Sequence, residues 1–211
     1  MELSCIRRGA RPAQARLVLL HGWGADADNL MPLAEELLPD AGAAGVELLA
    51  LRAPGRHPDG VGRAWYDLSS PVWDGLTASR DLLRQTLLDL GAEIPLSRTA
   101  ILGFSQGAAM AVDVACRLPV ALILACSAYP HPEWSPPERI PPIWFSHGRQ
   151  DPVVPEAAGR SLAEQLRGRG GAVSWTDFSG GHAIDPSLLQ PMRETLISHG
   201  IGTRGGTGPA G

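Results

Sequence analysis

Short apolar runs recur along the chain at residues 17–20, 46–51, 100–104, 121–125, 143–145 and 173–178. They are rich in Leu, Ile or Val, as strands buried on both faces should be. Amphipathic stretches lie between them. Leu30, Leu33, Ala34, Leu37 and Leu38 fall at i, i+3, i+4, i+7 and i+8, the spacing of one helical stripe. Comparable helices are predicted over 74–90, 106–118, 156–167 and 186–199. Strands alternating with helices predict an α/β fold, a mostly parallel sheet with helices on both faces. Two segments break the rhythm: 53–71 is long and irregular, with Trp65, Tyr66 and soon after Trp73, and 129–142 is rich in proline. Loops of that length in a compact domain often carry function. The second is too short for a helical cap, so the site is expected to be open.

The chain has 211 residues, within the usual range of one α/β domain. A single domain over 1–201 is expected, followed by a glycine-rich tail, 202–211, without apolar periodicity and expected to be disordered. The net charge of −4 is dispersed and the arginines form no run, which disfavours nucleic acid as a partner. A neutral or mostly apolar small molecule is the expected substrate. All 18 basic residues are Arg, so lysine chemistry is excluded. Cys5, Cys116 and Cys126 have no metal-site spacing and are read as reduced. No segment reaches the roughly 18 apolar residues that span a bilayer, and no apolar core with a small-residue cleavage site opens the chain, which predicts a cytoplasmic location.

Open parallel sheets bind ligands at the carboxyl ends of their strands. The polar residues found there are His21, Ser105, Gln106, Ser127, His147, Asp151 and His182. Ser105 is the centre of Gly-Phe-Ser-Gln-Gly, a Gly-x-Ser-x-Gly pattern between an apolar run and an alanine-rich one. Ser105, Asp151 and His182 follow in the order Ser, Asp, His expected of an α/β-hydrolase with such an elbow. A serine hydroxyl is a weak nucleophile near neutral pH. It needs an imidazole to take its proton and a carboxylate to fix the imidazole's tautomer. Asp177, within a predicted strand, and Asp185, read as a helix cap, are the competing carboxylates. The oxyanion donors expected with such an elbow are the backbone N–H of Gln106 and of Trp23, the latter in the turn His21-Gly22-Trp23-Gly24.

With "LLHGWGAD", "RAWYDL", "GFSQGAAMA", "SHGRQDPVVP" and "GGHAI" in place up to about His199, the chain resembles the phospholipase/carboxylesterase group of α/β-hydrolases, which includes the acyl-protein thioesterases. The resemblance implies a serine esterase or thioesterase acting on a small-molecule or acyl-bearing ester. It implies no cofactor, and an acyl pocket lined by the middle loop, with Trp65, Tyr66 and Trp73. Trp23 stands where the family usually has leucine and is expected to narrow that pocket. Two other readings stand beside this one. His21, His147, Asp151 and His182 lie at one sheet edge and could hold zinc, as a metal-dependent hydrolase would. A non-catalytic binding protein could also use this fold.

Overall fold

The computed structural model describes residues 3–203, so most of the expected tail, 204–211, lies outside the described residues. In chain order the elements are β1 (Cys5–Gly9), β2 (Ala15–Leu20), α1 (Ala27–Leu37), β3 (Val46–Leu51), β4 (Gly55–Arg56), β5 (Arg63–Ala64), α2 (Leu76–Glu93), β6 (Thr99–Phe104), α3 (Gln106–Met110), β7 (Leu122–Cys126), β8 (Ile143–Gly148), α4 (Glu156–Gly168), β9 (Val173–Phe178) and α5 (Leu189–Ser198). Seven strands form one sheet in the order β1-β3-β2-β6-β7-β8-β9. β1 runs antiparallel to β3, and the other neighbours are parallel. This is the α/β-hydrolase fold. No helix forms between β7 and β8, and among the described residues no cap covers the sheet edge.

The central strands β2, β3, β6, β7 and β8 are buried on both faces, and their alternate residues feed two cores. Val18, Leu20, Leu49, Ile101 and Phe145 pack with Leu83 and Leu87 of α2 and with Leu162 and Leu166 of α4. Leu17, Leu19, Leu48, Leu102 and Leu124 pack with Leu30 and Leu37 of α1 and with Met192 and Leu196 of α5. That division follows from the two-residue repeat of a strand.

Chain connection reverses direction across the sheet at β2, which lies between β3 and β6. Crevices form at such switch points because the two flanking connections leave on opposite faces. The turns after β2 and β6 carry His21 to Gly24 and Ser105 to Gly107.

Candidate active site

The chain enters α3 through a sharp turn. Ser105 has φ 55 and ψ −119, a conformation that costs a non-glycine residue energy. The flanking glycines make the turn possible. A Cβ on Gly107 would collide with the Leu20 carbonyl, and one on Gly103 with the backbone of Gly107 and Ala108. The Ser105 N–H donates to the Cys126 carbonyl at the end of β7 (2.9 Å), and the Ser105 carbonyl accepts from Ala108 and Ala109. The hydroxyl is thereby presented at the strand-end edge.

Beyond β8 the chain turns at once. Asp151 Oδ1 accepts from the N–H groups of Val153 and Val154, both at 2.9 Å, which aims Oδ2 away from the turn. The loop after β9 lies directly on this turn. Gln150 N–H donates to the Gly180 carbonyl, and any Cβ on Gly148 would strike the Gly180–Gly181 backbone. His182 is delivered onto Asp151, with Nδ1 2.7 Å from Oδ2 and Nε2 2.9 Å from Ser105 Oγ. An ionised carboxylate only accepts, so Nδ1 carries the proton and Nε2 accepts from the serine hydroxyl. Burial works to raise the Asp151 carboxyl. The hydrogen bonds from His182, Val154 and Val153 outweigh it and hold the group below the usual carboxylate range.

The competing carboxylates are committed elsewhere. Asp177 pairs with Arg149 and Arg160, each at 2.7 Å, and Asp185 caps the segment before α5 by accepting from Ser187 N–H. The other histidines of the edge are engaged with backbone. His21 Nδ1 donates to the Gly22 carbonyl (2.8 Å) and its Nε2 accepts from Ala53 N–H (3.1 Å). His147 Nε2 donates to the Val154 carbonyl (2.9 Å). Among the described residues no three His, Cys, Asp or Glu side chains group in a way that could hold a metal ion.

Gln106 is the first residue of α3, so its N–H has no acceptor within the helix. In the turn after β2, Gly24 N–H donates to Arg63 and Ala25 N–H to Gly22, whereas Trp23 N–H has no hydrogen-bond partner among the described residues. The bond from His21 to the Gly22 carbonyl restrains the Gly22–Trp23 peptide, whose other end is that N–H.

The aromatic residues of the middle loop are mostly interior. Trp65 is buried, donating through Nε1 to the His21 carbonyl (2.9 Å), and Tyr66 is buried and stacks on the half-buried Trp73. Trp65 and Tyr66 line a cavity of about 570 Å³ beside α2 that includes none of Ser105, Asp151 and His182. Trp23 is 37% exposed, with its ring packed on His57. A different cavity, of about 410 Å³, adjoins His182 and is lined by His21, Leu30, Leu33, Phe104 and Ile184. Its walls come from four separate segments, so no local pattern in the sequence marks it.

His131, in the proline-rich segment after β7, is buried. Its Nδ1 lies 2.5 Å from Asp113, which also binds Arg80, and its Nε2 lies 2.9 Å from the Tyr66 hydroxyl, itself 2.7 Å from that of Tyr129. The helical period gives no sign of this network, because Asp113 lies in a π-helical stretch, 111–115, that continues α3 and shifts its facing. The notable sequence signal is a lone acidic residue in an apolar run.

The family model for phospholipases and carboxylesterases matches residues 1–199. Esterase YpfH of Escherichia coli is 29% identical over 211 residues, covering 90% of this chain and 86% of its own length. Acyl-protein thioesterase 1 of Eremothecium gossypii is 30% identical over 204 residues, covering 85% and 86%. Among solved structures, esterase PE8 superposes with a TM-score of 0.81 at 28% identity, covering 94% of this chain and 99% of its own. Acyl-protein thioesterase 2 of Zea mays shares the fold, with a TM-score of 0.73 at 22% identity over 93% and 99% of the two chains. Among the described residues no helix is long and apolar enough to cross a membrane.

Proposed function

The chain belongs to the phospholipase/carboxylesterase family of ester and thioester hydrolases, and from that premise we propose that it works through an acyl-serine intermediate on Ser105. The observation that carries this reading is the continuous contact from Ser105 Oγ through the two nitrogens of His182 to Asp151 Oδ2. Ser105 Oγ attacks the ester carbonyl carbon while its proton passes to His182 Nε2. Asp151 holds the imidazole in the tautomer that can accept it and stabilises the imidazolium that results. The carbonyl oxygen, now negative, is met by the N–H groups of Trp23 and Gln106.

His182 Nε2 then gives its proton to the departing alcohol or thiol as the carbon–heteroatom bond breaks, leaving the acyl group on Ser105. Water repeats the sequence. It loses its proton to His182, adds to the acyl carbon, and the proton returns to Ser105 Oγ as the carboxylic acid leaves. Each proton taken is given back, so no co-reactant beyond water is needed.

The open edge suits a small-molecule ester without a covering domain. Replacing Ser105 by alanine should remove hydrolysis of simple esters by several powers of ten in a protein that still folds. Most of the activity surviving in that folded variant would refute the reading. Rates on matched oxygen and thiol esters decide which leaving atom is preferred.

A further inference from the structure

The cavity beside His182 has no role in the chemistry above, yet it lies against the histidine that must exchange protons with the substrate. Gly22, on its wall, is close enough to the serine that an added Cβ would lie 3.4 Å from Ser105 Cβ and 3.3 Å from the Phe104 ring. The Phe104 and His182 rings pack 4.8 Å apart. On the far wall are Leu30 and Leu33 of α1, and Ile184 follows His182 by two residues. Leu33, Phe104 and Ile184 are only half-buried, so apolar surface is left facing a space of about 410 Å³. Pockets of this size and lining take apolar ligand groups.

Which part of an ester would enter follows from the direction of proton transfer, and this step rests on the serine reading above. The tetrahedral carbon on Ser105 carries three other substituents. Its oxyanion faces the N–H groups of Trp23 and Gln106. Its leaving oxygen or sulfur must come within hydrogen-bond reach of His182 Nε2, since that atom supplies the proton on departure. The acyl chain takes the direction that remains. The cavity bounded by His182 therefore lies on the leaving-group side.

We infer that this cavity is the leaving-group subsite, and that it takes the uncharged, apolar chain of an alcohol or thiol. No Asp, Glu or Arg lines it among the described residues. Of its two imidazoles, His182 is committed to Asp151 and Ser105, and His21 is bonded to backbone through both nitrogens. A charged head group would lose its hydration there and find no opposite charge.

Two ester series on the full chain test this. In acetates of increasing alcohol length, kcat/KM should climb by up to about fourfold per buried methylene until the cavity is filled. Leu33→Trp, which narrows the cavity from α1, should flatten that climb and leave the slope across methyl esters of increasing acyl length in place. Ile184→Trp should do the same from the opposite wall, which covers the case in which one variant fails to fold. The uncharged 3,3-dimethylbutyl acetate should outpace acetylcholine, its cationic isostere, by about tenfold or more.

Flattening of the acyl series in place of the alcohol series would give the cavity to the acyl chain and overturn the inference. So would length profiles that ignore both substitutions, or a preference for acetylcholine. Fluorophosphonate labelling of Ser105 in the same preparations separates the two levels. A labelled enzyme with the wrong length profile sinks the subsite alone, and an active enzyme that takes no label at Ser105 sinks the serine reading beneath it.

Discussion

The side-chain amide of Gln106 clasps the backbone of the middle loop at Trp65, its Oε1 accepting from Trp65 N–H at 2.9 Å while Nε2 donates to the next carbonyl, that of Tyr66, at 2.7 Å. The residue whose backbone N–H is proposed to meet the oxyanion thus fixes the loop across from it through its side chain. Gln106→Met keeps the volume but leaves a buried N–H and a buried carbonyl unpaired, at about 1–3 kcal/mol each. Urea unfolding should show a loss of about 2 kcal/mol or more, accompanied by a fall in kcat. Parent-like stability would mean the clasp contributes nothing.

Ser105 holds a left-handed backbone against its own steric preference, a strain of about 1–3 kcal/mol. Glycine adopts that conformation without penalty. Ser105→Gly should therefore unfold at a higher temperature than Ser105→Ala, which retains a Cβ, although both lack the hydroxyl. Equal melting temperatures would show that the strain does not exceed the roughly 0.4–1 kcal/mol by which glycine's extra freedom favours the unfolded chain.

The two candidate carboxylates separate cleanly by substitution. Asp151→Asn should lower kcat by about 10⁴-fold, because an amide can no longer enforce the His182 tautomer. Asp177 is half-exposed and its pairs with Arg149 and Arg160 lie at the surface, so Asp177→Asn should leave kcat near the parent and cost at most about 1 kcal/mol of stability. A severe Asp177→Asn with a mild Asp151→Asn would reverse the assignment.

Stability should fall on acidification in two stages. Burial holds the His21 and His131 imidazoles below their ordinary value, against the pull of the Gly22 carbonyl and of Asp113 respectively. Between those lowered values and about 6.5 the unfolded chain binds more protons than the native one. Stability therefore rises with pH through that window, by at most about 1.4 kcal/mol per pH unit for each histidine, and levels off above it. The lowered Asp151 carboxyl adds a second stage, present above about pH 4 and lost as pH falls through its folded value. Urea midpoints from pH 5 to 8 measure the first stage, and His131→Gln should reduce its slope. A slope unchanged in that variant would remove His131 from the account.

Long-range order was legible where chemistry and periodicity coincide. The apolar runs became β2, β3, β6, β7 and β8 because strands covered on both faces need continuous Leu, Ile and Val, and the run 173–178 became the half-buried edge strand β9. β1 escaped notice, since Cys5–Gly9 is an edge strand with Cys5 and Arg8 exposed and no alternation to read. The run 106–118 was legible as helical, but its change from α to π form at Ala111, which brings Asp113 to His131, depends on tertiary partners. The meeting of Ser105, Asp151 and His182 could be anticipated from chain order and strand ends. The directions of Trp65, Tyr66 and Trp73 could not, because an aromatic in a loop buries equally well in a core or in a pocket.

The central claim, that Ser105 becomes covalently acylated, is tested most directly by labelling with a fluorophosphonate in the presence of EDTA, followed by intact mass and peptide mapping. The account predicts one adduct per chain, located on Ser105, with hydrolysis lost in proportion to labelling and no adduct at that position in Ser105→Ala. An enzyme that stays fully active while labelled at Ser105, or that loses activity with its adduct on another residue, would contradict it.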